Sequence, residues 1–352
     1  MANKLFLWLV IVGVPLSVVA GYLGLAPSVL FFIYSLTIIA LAGFMGRATE
    51  SLAIIAGPRI GGMLNATFGN AVELIISVFS LRAGLHEVVL ASLTGSVIGN
   101  LLLVGGLSFF VGGLKFKRQV FSVDDARHNS GLLIFAVIVA FVIPEVFSTQ
   151  ISLERSLSLS IGISVVMVLL YLAALYFRLV THRGVYQRRG EQVADHQEVP
   201  EWSARLSVTI LALSTLVVAY ISEKLVHTFE FVAESFGWSQ LFIGVIIVAI
   251  VGNAAEHGSA IIMAYKNKMN TAVEIAVGST VQVAMFVAPV LVLISLFFPT
   301  PMPLVFTLPE LIAMASAVLL SIIILNDGES NWFDGVTLLA AYIIMGIGFY
   351  LL

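Results

Sequence analysis

The sequence predicts an all-α polytopic membrane protein with eleven transmembrane helices, and two observations lead to this fold class. Sixty per cent of the 352 residues are hydrophobic, only 11% are charged, and the mean hydropathy is +1.07. Apolar stretches of about 20 residues, the length that crosses the hydrocarbon core of a bilayer, recur along the whole chain. The chain contains no cysteine, which excludes disulfides, thiolate metal sites and thiol nucleophiles.

Eleven segments are long and apolar enough to be membrane spans. They are 5–22, 28–44, 61–81, 88–110, 131–147, 157–177, 206–222, 241–264, 271–298, 308–325 and 332–352. The first segment follows Lys4. We interpret it as a retained helix rather than a cleaved signal peptide, because it has no convincing small-residue cleavage site and further spans follow it.

The basic residues are distributed unevenly between the two faces that eleven crossings define. Of the 17 Lys and Arg residues, only Arg82, Arg155 and Lys224 lie on the face opposite the N-terminus. Cytoplasmic loops concentrate Lys and Arg, so the sequence predicts a cytoplasmic N-terminus and an external C-terminus. The polar stretch 181–205 is then a cytoplasmic linker. No long basic tract outside the membrane supports nucleic-acid binding.

One motif occurs twice inside apolar stretches. Gly-Asn-Ala-Val-Glu at 69–73 returns as Gly-Asn-Ala-Ala-Glu at 252–256, an offset of 183 residues. The same offset, without a gap, relates Gly61 to Gly244 and Gly-Ser at 95–96 to Gly-Ser at 278–279. Close helix packing in lipid explains recurring Gly and Ala, but not two Asn and two Glu. The chain therefore contains two copies of one structural unit.

The two copies are predicted to lie in opposite orientations in the membrane. The first motif is in the third span and the second is in the eighth, and five crossings is an odd number. Inverted repeats that meet near the midplane are typical of secondary transporters, whose sites form around interrupted helices. Glycine permits irregular backbone, so we expect interruptions at the glycines of these spans. They are Gly61, Gly62, Gly69, Gly244 and Gly252.

Glu73 and Glu256 are the predicted centre of the site. An ionisable residue inside a membrane is costly and usually marks an ion or proton pathway. Asn70 and Asn253 lie three residues earlier, so on a continuous helix each shares a face with its glutamate. Two carboxylates and two amide oxygens suit Ca²⁺, which takes oxygen ligands and tolerates irregular geometry.

Further polar residues of the same regions are predicted helpers. Ser96, Asn100, Ser279 and Gln282 lie on the next span of each copy, and helix packing explains each of them equally well. His257 follows Glu256 and would be able to tune its titration. We favour a packing role for His257, because adjacent residues point to different faces of a helix.

An empty site of this composition is expected to take up protons. Two carboxylates in a poorly solvated cavity repel each other and lose hydration, and both effects favour the protonated form. A bound divalent cation favours the charged form instead. Ca²⁺ and H⁺ should therefore compete for the same oxygens. Such competition gives antiport if the empty, doubly charged site cannot easily change the side to which it opens.

These motifs resemble the Ca²⁺/H⁺ antiporter family of the cation/Ca²⁺ exchanger superfamily. The resemblance also includes Asn-Leu-Leu-Leu-Val at 100–104 and the segment 327–335, and it extends from about residue 41 to the C-terminus. It implies a five-plus-five inverted-topology repeat behind an extra first helix. The units would be the helix within 1–27, the first repeat 28–180, the linker 181–205 and the second repeat 206–352. The family commonly has Glu where this chain has Asp334.

The resemblance also implies a function and a setting. The family exports Ca²⁺ against proton entry, which makes Glu73 and Glu256 Ca²⁺ ligands and proton carriers, and makes Asn70 and Asn253 flanking amides. Ca²⁺ is then a transported substrate, and no cofactor is expected. A plasma membrane is the expected location, because the long N-terminal extension of plant and fungal vacuolar members is absent. The family's tendency to assemble suggests a homo-oligomer such as a trimer.

Two other interpretations stay open, and a third is not supported. Another exchanger, for Na⁺/Ca²⁺ or Mn²⁺/H⁺, is the nearest, although neither repeat resembles the Gly-Thr-Ser-x-Pro-Glu motif of Na⁺/Ca²⁺ exchangers. A cation channel predicts downhill Ca²⁺ flux without proton movement. An intramembrane enzyme is not supported, because every Asp lies in or beside a loop and no reactive Ser–His pair is evident.

Overall fold

Helices make up nearly all of the structure. A computed structural model describes residues 2–182 and 199–352. Its α-helices in these ranges are α1 (Ala2–Ala20), α2 (Pro27–Phe68), α3 (Ala71–Arg82), α4 (His86–Ile98), α5 (Gly105–Lys115), α6 (Val123–Val137), α7 (Ile143–Ser148), α8 (Leu153–Tyr176), α9 (Ala204–Val226), α10 (Phe229–Phe236), α11 (Gln240–Phe242), α12 (Ala249–Gly252), α13 (Ala254–Tyr265), α14 (Met269–Gln282), α15 (Ala288–Ser295), α16 (Leu308–Leu325) and α17 (Trp332–Leu351).

Wider π-helical turns and one small sheet complete the fold. The π-helical segments are Gly99–Val104, Ile138–Val142, Phe177–Thr181, Ile243–Val248 and Val283–Val287. Strands β1 (Gln119–Val120) and β2 (Glu329–Ser330) pair antiparallel, with Gln119 opposite Ser330. The sheet therefore ties a loop of the first predicted repeat to a loop of the second.

Most predicted spans are present as long apolar helical stretches. In the described ranges, eight stretches are long and apolar enough to cross a membrane, and there are nine if Phe229–Phe236 and Gln240–Gly252, bent by 117°, form one span. The predicted first span is a shorter apolar helix, Leu7–Ala20. The predicted third and eighth spans are each broken. The protein is an all-α polytopic membrane protein, and the count of eleven helices stays a prediction.

The third and eighth predicted spans are broken at equivalent residues. Asn70 (φ −97°, ψ 17°) separates α2 from α3, and Asn253 (φ −105°, ψ 10°) separates α12 from α13. Each Asn directly follows Gly69 or Gly252, two of the glycines at which an interruption is expected. The helices that follow the two breaks, α3 and α13, therefore begin at equivalent residues. Glu73 lies in the first turn of α3, and Glu256 lies in the first turn of α13.

The remaining glycines behave differently from this expectation. Gly61 and Gly62 lie inside α2, whose sharp change of direction is at Gly57. The φ of Gly57 is 80°, a left-handed conformation that glycine adopts without steric cost. Gly244 lies in the π-helical segment Ile243–Val248. Sequence comparison between the copies does not reveal Gly57, because the residue at the same offset, Gln240, begins a helix.

Helix packing follows the predicted inverted repeat except at one contact. The helix α5 packs on α17, and the equivalent α15 packs on α8; likewise, α4 packs on α16 and α14 packs on α6. The first helices of the two copies, α2 and α9, pack on each other. The exception concerns α4, which packs closely on the π-helical segment Ile243–Val248, whereas α14 has no comparable packing on α2. The copies therefore share a fold but differ at one interface.

Candidate ion-binding site

The two predicted central glutamates lie in the first turns of α3 and α13, directly after the helix breaks. Glu73 is fully buried, with 0% of its surface exposed, whereas Glu256 is partly exposed. The positive end of a helix dipole favours a carboxylate in the first turn. In the described part of the chain, no Lys or Arg forms an ion pair with either carboxylate. The site is therefore negatively charged unless a cation or protons neutralise it.

Glu73 belongs to a chain of hydrogen bonds that crosses between the copies. Ser96 Oγ of α4 donates to Glu73 Oε1 at 2.5 Å. Asn253 Nδ2, from the second copy, donates to Ser96 Oγ at 2.9 Å and to the carbonyl of Ala249 at 3.0 Å. Ser96 therefore connects the carboxylate of the first copy to the amide of the second copy.

Glu256 has the equivalent set of partners. Ser279 Oγ of α14 donates to Glu256 Oε2, and this hydroxyl lies 3.4 Å from Asn70 Oδ1 of the first copy. Asn70 Nδ2 donates to Gln282 Oε1 at 2.9 Å. The same Glu–Ser–Asn order therefore occurs twice, with Ser96 and Ser279 at equivalent positions.

The side chain of each asparagine thus contacts the half-site of the opposite copy. We expected Asn70 to share a helix face with Glu73, but its side chain contacts Ser279, the partner of Glu256. The reason is the helix break: three-residue spacing places side chains on one face only within a continuous helix, and Asn70 is not helical. Each glutamate is therefore connected to an amide of the opposite copy.

The two half-sites are in direct contact. Gly252 lies against Glu73, since a Cβ at Gly252 would be 3.1 Å from the Cα of Glu73. Gly69 lies against Glu256, since a Cβ at Gly69 would be 2.7 Å from Glu256 Oε1. Glycine at both positions allows the backbone of one copy to approach the carboxylate of the other. The carboxylates therefore border one shared site.

Two buried oxygens of this site have no hydrogen-bond partner. They are Glu73 Oε2 and Asn253 Oδ1. An unpaired buried oxygen is costly, and a bound cation or an added proton removes that cost. Among the described residues, no group of three or more His, Asp or Glu is arranged so that it could hold a metal ion. A cation here would therefore be held by two carboxylates with amide, hydroxyl or carbonyl oxygens and water, a set that suits Ca²⁺.

Two predicted helpers lie outside these chains and contact each other. The Nε2 atom of His257 is 3.1 Å from Asn100 Oδ1, while Asn100 Nδ2 is buried without a partner. The residues at the same offset, Leu74 and Val283, are apolar. The pair Asn100–His257 is therefore a feature of one side of the site only.

The site opens on one side. A Cβ at Gly95 of α4 would overlap the backbone carbonyl of Val245, whereas nothing lies within 4 Å of the Cβ position at Gly278 of α14. The residues before Gly69 include exposed Met63, at 59%, whereas the equivalent Ile246 is only partly exposed. The structure is closed next to Glu73 and open next to Glu256.

Glu310 is one buried carboxylate whose role the sequence analysis did not identify. It caps α16 through Thr307, whose backbone N–H and hydroxyl both donate to Glu310 Oε2 at 2.8 Å. Thr94 of α4 donates to Glu310 Oε1 at 3.1 Å. A Thr followed three residues later by Glu at the start of an apolar run is a capping-box signal and would have revealed this. Glu310 therefore caps α16 and links it to α4 by a hydrogen bond.

Comparison with known proteins decides the family. The model of the sodium/calcium exchanger protein family matches residues 27–180 and 206–351. The chain belongs to this family. It is 71% identical over 350 residues to the Ca(2+)/H(+) antiporter ChaA of Bacillus subtilis, covering 99% of this chain and 100% of that protein. It is 39% identical to vacuolar cation/proton exchanger 3 of Oryza sativa, covering 96% of this chain and 83% of that protein.

Solved structures agree with this assignment. The structure of native YfkE matches with a TM-score of 0.88 and 66% identity, covering 99% of this chain and 100% of that chain. An H⁺/Ca²⁺ exchanger, CAX, matches with a TM-score of 0.74 at 16% identity, covering 99% of this chain and 92% of that chain, which shows the shared fold alone. The resemblance to the Ca²⁺/H⁺ antiporter family found in the motifs is thereby confirmed. The family consists of transporters, not enzymes.

Proposed function

We propose that this protein is a Ca²⁺/H⁺ antiporter in which Ca²⁺ and H⁺ compete for Glu73 and Glu256 at one site. The observation that carries this proposal is the pair of Glu–Ser–Asn hydrogen-bond chains. Each chain connects the glutamate of one copy to the asparagine of the opposite copy. The 71% identity to a Bacillus subtilis Ca(2+)/H(+) antiporter supports the choice of ions.

Competition follows from the charges at the site. Neither carboxylate has a basic partner among the described residues, so an empty site would hold two unneutralised negative charges at low dielectric. Protons neutralise these charges, and so does one Ca²⁺. A ligand that needs deprotonated oxygens must displace the protons when it binds. Binding of one ion therefore expels the other.

Exchange then requires that the loaded site face each side in turn. The open interface beside Glu256 and the closed interface beside Glu73 involve equivalent elements of an inverted repeat, so exchanging their packing would reverse the side of access. The doubly charged empty site is the species that should resist this change. A leak of Ca²⁺ alone is thereby prevented.

The direction of transport depends on the topology. Two ion pairs near the predicted span ends support this arrangement, because each pair joins residues that it places on one face: Arg82 pairs with Glu223, and Arg47 pairs with Glu201. With a cytoplasmic N-terminus, the open side of Glu256 faces the cytoplasm. The protein would load Ca²⁺ there and release it outside. A plasma-membrane location and a homo-oligomer such as a trimer remain predictions.

Reconstituted protein tests this function directly. We expect an imposed pH difference to drive Ca²⁺ uptake into proteoliposomes, and an added Ca²⁺ gradient to drive proton movement in the opposite direction. Ca²⁺, Mn²⁺, Na⁺ and K⁺ are to be tested in turn, which separates the exchanger alternatives. Ca²⁺ flux that follows its own gradient without moving protons would indicate a channel and refute the proposal.

A further inference from the structure

We propose that buried hydroxyls on α3 and α4 line the route by which protons reach Glu73 from the membrane face opposite the open side of Glu256. The hydroxyl row consists of Ser77, Ser80 and Ser92. The proposal rests on the proposed function only in taking Glu73 as a group that exchanges protons. It adds the path of those protons on the side that is closed in this structure.

The hydroxyl row is aligned with Glu73. Ser77 and Ser80 follow Glu73 by four and seven residues, which places all three on one face of α3. Ser92 precedes Ser96 by four residues on α4, and Ser96 donates to Glu73 at 2.5 Å. The faces of α3 and α4 that carry these serines therefore oppose each other. They extend from Glu73 towards the turn between the two helices.

The atoms of the row are deeply buried and mostly unpaired. Ser77 and Ser80 are each 1% exposed, and neither hydroxyl has a hydrogen-bond partner. The neighbouring Glu73 Oε2 is also buried and without a partner. Such groups are the ones that buried water molecules commonly bond. A hydroxyl both donates and accepts, so a water chain along the row would end at a free carboxylate oxygen.

The second copy lacks the hydroxyl row. At the same offset, Ser77, Ser80 and Ser92 correspond to the apolar residues Ala260, Met263 and Ile275. The serines are therefore not a packing requirement of the repeated unit. Glu256 is already partly exposed, whereas Glu73 is fully buried. The polar row thus occurs on the side where a proton has no open path to its carboxylate.

The passage suits protons better than Ca²⁺. Between Glu73 and the turn at 83–85, the row offers hydroxyls but no carboxylate on these two faces. A desolvated Ca²⁺ needs six to eight oxygen ligands, several of them charged in most sites. Protons need only a chain of water and hydroxyl groups. The row therefore admits protons, and also a monovalent ion such as Ag⁺ that sheds its water more readily, whereas Ca²⁺ passes only through the wider opening.

Thiol accessibility tests the route, because the natural chain has no cysteine. Ser77→Cys and Ser80→Cys each introduce one thiol in place of a hydroxyl of similar size. The protein in oriented vesicles is exposed to Ag⁺ from one face, washed, denatured and labelled with a maleimide. Loss of maleimide labelling reports that Ag⁺ reached the thiol. The reference is Asn65→Cys, at an exposed position one turn before Gly69 on the open side.

Two control variants make the test specific. Ser164→Cys replaces a buried serine on α8 whose hydroxyl is likewise unpaired, and Ala260→Cys places a thiol at the equivalent of Ser77. We expect both thiols to remain protected from Ag⁺ from either face. Protection there shows that reactivity at residue 77 comes from a passage and not from general opening of the bundle.

The outcomes separate this inference from the proposed function. We expect Ag⁺ to block residues 77 and 80 from the face opposite the one at which it blocks residue 65. The inference is overturned if residue 77 is protected from both faces, if it reacts from the same face as residue 65, or if residue 260 reacts equally. None of these results depends on transport, so the proteoliposome exchange assay judges the proposed function independently.

Discussion

The half-site around Glu73 and the half-site around Glu256 have the same motif but different surroundings. Both carboxylates accept a hydrogen bond from a serine of the next helix, and both serines contact an asparagine of the opposite copy. Yet Glu73 is fully buried behind a close helix contact, whereas Glu256 borders an open interface. The two copies of the motif therefore share the proposed binding chemistry, whereas the packing around them differs.

The proposed alternating access would build two access states from these nearly equivalent parts. In that proposal, the closed interface of α4 and the open interface of α14 are alternatives that the copies exchange, as is typical of inverted-repeat transporters. The residues that differ between the copies are then the ones that make the two packing arrangements different in energy. The polar pair Asn100–His257 and the hydroxyl row are such differences, because the equivalent residues are apolar.

The largest expected effect comes from removing either central charge. Glu73→Gln and Glu256→Gln should each lower pH-driven Ca²⁺ uptake by about 100-fold or more, because each variant removes a charged ligand and a proton carrier. Uptake of radioactive Ca²⁺ into inverted vesicles measures this. Glu274→Gln is the control, since Glu274 pairs with Arg178 at an exposed position and should retain uptake within about threefold. Normal exchange in either central variant contradicts the shared site.

The two equivalent glycines should differ sharply in their tolerance of a methyl group. Gly95→Ala would force a Cβ into the carbonyl of Val245 and should reduce the free energy of unfolding by about 1–3 kcal/mol. Gly278→Ala faces open space and should change it by less than about 0.5 kcal/mol. Thermal unfolding in detergent measures both. Equal destabilisation would mean that the two interfaces are packed alike, contrary to the structure.

Removing the hydroxyl of Ser96 should weaken Ca²⁺ binding more than removing the hydroxyl of Ser279. Ser96→Ala removes the hydroxyl that donates to the fully buried Glu73 at 2.5 Å, whereas water can replace the hydroxyl of Ser279 beside the partly exposed Glu256. A hydrogen bond to a charged group contributes about 1.5–3 kcal/mol, so Ser96→Ala should raise the half-saturating Ca²⁺ concentration by about tenfold or more. Ser279→Ala should raise it less. The Ca²⁺ dependence of initial uptake rates decides between them, and the reverse order would contradict this comparison.

The smallest effect is expected from making the copies more alike. Asn100→Val introduces the residue found at the equivalent position, Val283, and removes the contact with His257. Interhelical hydrogen bonds in membranes contribute about 0.6 kcal/mol on average, so exchange should slow by no more than about threefold. Transport rates measured alongside thermal stability show whether the loss exceeds this. Abolished exchange with normal stability would make Asn100 part of the binding site.

The proposed chemistry of the site follows from the sequence, whereas its access does not. Glu73 and Glu256 are candidate ligands because carboxylates inside apolar spans are costly, and Gly69 and Gly252 are expected helix breaks because glycine permits irregular backbone. The partners of Asn70 and Asn253 were not predictable, since a helix break removes the periodicity on which such inference depends. Gly57 has no equivalent in the second copy. The sequence also does not predict which side of the site is open. The two interfaces are formed by equivalent segments of the repeat, and only their packing distinguishes them.

Calcium binding with simultaneous proton counting tests the central claim most directly. Purified protein in weakly buffered detergent solution is titrated with Ca²⁺ while bound Ca²⁺ and released H⁺ are both measured. We predict one Ca²⁺ per chain, with protons released on binding and an affinity that falls as pH falls, by up to about tenfold per pH unit for each proton displaced. Both the binding and the proton release should disappear in Glu73→Gln and in Glu256→Gln. Calcium binding that releases no protons, or that survives in either variant, would contradict a single site shared by two inverted glutamates.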